Sequence, residues 1–120
     1  MSDEASEARI TLSQIGDAML ACVQAELRPS VVRQMQSRLL ERISGRAVRK
    51  VMLDLSEVRF MDLESYQALI DMKRTISLMG AATVLVGLRP GVIQGLSQVG
   101  ADLGAFRGAI SLEQALALKL

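Results

Sequence analysis

Apolar positions along the chain follow two rhythms. Short, nearly continuous apolar runs alternate with stretches in which apolar residues return at the three-to-four spacing of a helix face. "RITLSQIG" and "AMLACVQAEL" read as two strands joined at Gly16-Asp17, a turn-forming pair. After Pro29-Ser30, "SVVRQMQSRLLERISG" places Val32, Met35, Leu39 and Ile43 at helical spacing, and Gly45 suits the stop. "KVMLDLSEV" is apolar from Val51 to Leu55, as a strand covered on both faces reads, so it is predicted to lie centrally in the sheet.

A second helix is predicted over Leu63–Met79, with Tyr66, Leu69, Ile70, Ile76 and Met79 as its inward stripe and Gly80 as its end. "AATVLVGL" is a further buried strand. Pro90 has the fixed φ of a first helical position, and Val92, Ile93, Leu96 and Val99 follow at helical spacing up to Gly100. A short strand near "FRGAI" and a last helix in "SLEQALALKL" close the chain, with Ser111 and Gln114 spaced as a capping box. The order is ββαβαβαβα. It predicts an α/β fold with a small mixed sheet of about five strands and about four helices, the first two strands forming a hairpin. Residues 1–8 are expected to form a disordered acidic tail, and 9–120 one domain.

Composition narrows the chemistry. A length of 120 residues suffices for one core without disulfides or a structural metal. A net charge of +1 and 2% aromatic residues argue against a nucleic-acid reader. There is no histidine, which removes the commonest general base and the commonest transition-metal ligand. Cys22, the sole cysteine, reads as a small buried core residue. The acidic start is unlike a signal peptide. The uncharged run "TISLMGAATVLVGL" is shorter than the about 20 residues a membrane helix needs. A soluble, cytoplasmic protein is expected, without a membrane partner. Half of the residues are hydrophobic, and part of that surplus is expected on the surface, where it favours self-association or assembly with other chains.

Candidate chemistry gathers around "VRFMDLESYQALIDMKR". Asp62 is placed to cap the helix by accepting from the backbone N–H of Glu64 or Ser65, and Glu64 suits the helix dipole. Asp54 is expected to shape the strand end and the "DLSEV" turn. The first strand is not followed by the acidic pair that a phospho-accepting receiver site needs, so no catalytic or metal-binding role is assigned. "GLRPG" lacks the Gly-Lys-Ser/Thr ending of a P-loop and reads as a strand-to-helix turn. Arg89 within it is a candidate anchor for a partner's carboxylate or phosphate. Ser65, near a helix N-terminus, is a candidate phosphorylation site, set against an ordinary first-turn serine. No cofactor is indicated.

"VMLDLSEVRFMD", "LMGAATVLVGLRPGVIQGLSQVGADL" and "ISLEQALALKL" resemble the STAS family (sulfate transporter and anti-sigma factor antagonist domains), and within it the stressosome scaffolds of the RsbS type. The similarity runs from Ile10 to Leu118 and is most specific from Leu78 to Leu103. It implies a non-enzymatic scaffold that co-assembles with RsbR-type STAS paralogues and sequesters an RsbT-type serine/threonine kinase, with a PP2C-type phosphatase as a further partner. The same fold also serves as a subunit of lipid-transport ATPase complexes and as a simple anti-sigma factor antagonist. Asp62, Leu63, Glu64, Ser65 and Arg89 are then the expected partner and kinase interface. In the family, the phospho-accepting serine directly follows an aspartate at the start of the second helix. Asp62 matches that aspartate, but Leu63 stands in the serine's place. Either Ser65 is a displaced acceptor, or the usual switch is lost; loss is the favoured expectation.

Overall fold

A computed structural model describes residues 9–120. The expected acidic tail over residues 1–8 lies outside the described residues. Strands β1 (Ile10–Ile15), β2 (Ala18–Val23), β3 (Lys50–Asp54), β4 (Ala82–Val86) and β5 (Arg107–Ala109) form one sheet in the order β1-β2-β3-β4-β5. β1 and β2 pair antiparallel through the Gly16-Asp17 turn, where Gly16 takes a φ of 60° that suits glycine. The remaining pairs are parallel. Helices α1 (Pro29–Ile43), α2 (Leu63–Ser77), α3 (Pro90–Gln98) and α4 (Leu112–Ala117) follow β2, β3, β4 and β5 in turn. The sequence order and the mixed five-stranded sheet are as expected.

The alternation along the strands separates two cores. Met19, Ala21, Val51, Leu53 and Leu85 face α1, α2 and α3 and form the larger one. Ala18, Met52, Val84, Val86 and Ala109 face the other way, where Ala115 of α4 covers them. β3 therefore buries both faces, which is why its sequence shows no polar alternation. α4 is short, and its C-terminal carbonyls are held by Lys50 Nζ, which donates to Ala115 O at 2.7 Å, Leu116 O at 3.0 Å and Leu118 O at 2.7 Å. A cation in that position also complements the helix dipole.

Several expectations about side-chain direction need correction. α2 ends at Ser77, so Met79 leaves the helical phase and is exposed instead of extending the inward stripe. In α3 only Val92 and Leu96 are buried, while Ile93 and Val99 face outward. Cys22 is half-buried on the thinly covered face of β2, with Sγ 3.9 Å from Asp54 Oδ2. Burial and then the neighbouring Asp54 charge push its thiol pKa up. Ser111 caps α4 as expected, but Gln114 Oε1 accepts from the N–H of Ile110, not from that of Ser111.

Candidate functional site

The segment between β3 and α2 is built so that its polar turn folds inward and its tip faces out. Asp54 Oδ1 accepts from Ser56 N at 3.0 Å and from Ser56 Oγ at 2.7 Å, turning the chain at the strand end. Val58 and Met61 are buried and pin the following stretch. Arg59 and Phe60 between them are left outside, with Phe60 64% exposed. Asp62 then caps α2, Oδ1 accepting from Ser65 N at 2.8 Å, as its spacing anticipates. The Ser65 side chain and then its backbone N–H hold the Asp62 carboxyl below the usual aspartate value. Because the hydroxyl hydrogen is committed elsewhere, the N–H bond is the contact that geometry secures.

That commitment places Ser65 inside the fold. Its side chain is 1% exposed, and Oγ donates to Leu27 O at 3.1 Å, tying α2 to the link between β2 and α1. Tyr66 beside it donates from its hydroxyl to Asp102 O at 2.7 Å and packs edge-on against Phe106, ring centroids 5.8 Å apart. Burial and then the Asp102 charge raise the Tyr66 pKa, so the donating form persists. Asp62, Leu63 and Glu64 point the other way and are exposed, Leu63 at 36%.

Beside this outer turn lies α3. At about 100° per residue, Gly91, Val92, Gly95 and Val99 fall on one side of that helix, and Pro90 and Ile93 on the opposite side. The first side faces the start of α2. Together with Arg59, Phe60, Met61, Asp62 and Leu63, it encloses a shallow groove of about 180 Å³. A Cβ added at Gly91 or Gly95 would meet nothing, so these glycines keep the floor of the groove open. Phe60, Leu63 and Val99, the last 56% exposed, supply an apolar rim.

The groove thus gathers Asp62 and Leu63 from the expected interface, with Glu64 exposed beside them. It does not include Ser65, which lies beneath the surface, or Arg89. Arg89 Nε donates to Ser56 O at 2.8 Å, and its side chain lines a different cleft on the far side of α3. Arg59, Phe60, Gly91 and Gly95 are not singled out in the sequence reading, and Val99 is named there only within the apolar spacing of α3. The four-residue spacing of Gly91 and Gly95 was the signal available for two of them. Among the described residues, no group of three or more His, Cys, Asp and Glu side chains could hold a metal ion. No helix there is long and apolar enough to cross a membrane. The arrangement is an apolar groove edged by Arg59 and Asp62, and its lining brings together no convergent set of reactive groups.

Comparison with known proteins agrees with the fold. The chain is similar to the uncharacterized protein YezB of Bacillus subtilis (strain 168), 34% identical over 71 residues that cover 59% of this chain and 72% of YezB. Its structure is similar to that of a serine-to-glutamate variant of Moorella thermoacetica RsbS, with a TM-score of 0.74 and 29% identity over 90% of this chain and 92% of that one. A chain from the molecular architecture of the stressosome, a signal integration and transduction hub, matches with a TM-score of 0.70 and 25% identity, covering 88% of this chain and 92% of that one. The STAS domain matches residues 9–107, and the chain belongs to the STAS family.

Proposed function

We propose that this protein is a non-enzymatic, cytoplasmic STAS scaffold of the RsbS type. It docks partner proteins through the groove between the start of α2 and α3. The partners are an RsbR-type STAS paralogue, which completes a stressosome shell, and an RsbT-type serine/threonine kinase held on that shell. A PP2C-type phosphatase would reset partner switching. The observation that carries this reading is the exposed apolar rim of Phe60, Leu63 and Val99 around a glycine floor, on a helix start whose aspartate is spent on capping. Similarity to RsbS over most of both chains supports the choice of partners.

In this reading the chain carries no phosphate switch in the first turn of α2. Leu63 has no acceptor, and modification of Ser65 would require removing its hydroxyl from Leu27 O and opening a packed turn. The paralogue takes over that control. Mixing the purified protein with an RsbR-type paralogue should yield a megadalton-scale particle by light scattering; a persistent 13.0 kDa species would reject the scaffold role. Incubation of that particle with an active RsbT-type kinase and ATP should label the paralogue and leave this chain unlabelled by peptide mass spectrometry. Phosphate on Ser65 that disappears in Ser65→Ala would instead establish a displaced acceptor.

A further inference from the structure

The far side of α3 borders a larger concavity that the docking groove does not use. α3 returns from β4 on the face shared with α1 and α2, whereas α4 leaves β5 on the opposite face. In open α/β sheets, such a reversal parts the chain beyond the carboxyl ends of neighbouring strands and creates a ligand crevice. Here the crevice has a volume of about 640 Å³, within the range of small-molecule sites. Gly87, which follows β4 with a φ of 69°, shapes its base: a Cβ there would stand 3.1 Å from Ser56 Cβ.

The walls and the mouth differ in character. Leu88, Ile93, Leu103, Phe106 and Ile110 give the walls an apolar surface, and Ile110 is 85% exposed with no described residue covering it. Two cations, Arg89 and Arg107, also line the crevice, and no aspartate or glutamate does. The bond from Arg89 Nε to Ser56 O orients its guanidinium while leaving the Nη groups without a hydrogen-bond partner among the described residues. The Arg107 side chain is exposed and forms no ion pair there. The nearby Asp54 carboxylate is occupied by Ser56, and that of Asp102 accepts from Gly104 N. An apolar trough with two guanidinium groups that form no ion pair among the described residues complements a molecule with the opposite layout.

We propose that this crevice binds a small amphipathic oxyanion: an apolar chain or ring lies against Leu88, Ile93, Phe106 and Ile110, and a carboxylate or phosphate head meets Arg89 and Arg107. A guanidinium fork matches either head in geometry. The occupant would touch the side of α3 opposite the docking groove.

The test is a titration of the ¹⁵N-labelled full chain with decanoate, decyl phosphate and decanol, each below its aggregation limit and followed by NMR. Decanoate or decyl phosphate should bind saturably and at least about tenfold more tightly than decanol, the contribution expected of a charge-assisted contact. The tighter of the two identifies the preferred head. Shifts should centre on Leu88 and on Arg107 to Ile110. Arg107→Gln, a change at an exposed side chain, should erase most of the preference for the anions while leaving decanol binding unchanged. Ile110→Glu should weaken the anions more than decanol. Equal affinity for decanol and the anions, shifts centred elsewhere, or an undiminished preference in Arg107→Gln would overturn the proposal.

Discussion

Leu63 and Ser65 stand two positions apart in the first turn of α2, yet Leu63 is 36% exposed beside a groove and Ser65 is 1% exposed beneath it. The inner side of the turn spends its polar atoms on the fold: Ser65 on Leu27 and Tyr66 on Asp102. The outer side leaves Leu63 and Glu64 uncommitted and sets them next to the open glycine floor of α3. The contrast separates two requirements that one short segment must meet. Inward substitutions should cost stability, and outward ones should cost association.

The largest effect is expected from Ser65→Asp. It places a carboxylate without a partner in a closed turn, and an uncompensated buried charge costs about 3–5 kcal/mol. Chemical denaturation should find the variant largely unfolded; a midpoint near that of the wild type would mean that the inner side is not closed. Ser65→Ala should lose about 1 kcal/mol, because Leu27 O keeps its place but loses a donor.

Asp62→Ala should act through pH. The native carboxyl has a lowered pKa, so its stabilising effect is present above the ordinary aspartate value of 3.8 and fades as pH falls through the lower native value. Melting curves of wild type and variant should therefore differ at neutral pH and converge in strong acid. A gap that persists there would assign the effect to something other than the ionised cap. The smallest change in stability is expected from Leu63→Ser, within about 0.5 kcal/mol, as for other surface positions. Its midpoint should hardly move, although association with the paralogue weakens.

Much of this division was legible in the residues. The cap at Asp62 follows from its position before an apolar stripe, and the hairpin from Gly16-Asp17 between two strand-like runs. The burial of Ser65 could also have been read. Ser65, Leu69, Met72 and Ile76 fall at successive four-, three- and four-residue steps along the buried side of α2, so the serine shares the phase of the core. Its polarity drew attention to chemistry and away from position.

The groove was harder to foresee, because it exists only once α3 lies beside the start of α2. Gly91 and Gly95 look like weak points of a short helix until a neighbour gives their missing side chains a meaning. Arg89 shows the same limit. It sits one residue before α3, yet the turn at Ser56 directs it to the opposite side of that helix from the groove.

Gly95→Leu offers the most direct test of docking through this groove. Gly95 is helical and exposed, and a Cβ there meets nothing within 4 Å, so the substitution should hold or raise stability by up to about 1 kcal/mol. It should also fill the groove floor. Light scattering of the variant mixed with an RsbR-type paralogue should show the large particle lost, while the denaturation midpoint stays at or above that of the wild type. A fully folded Gly95→Leu protein that assembles as readily as the wild type would contradict the account.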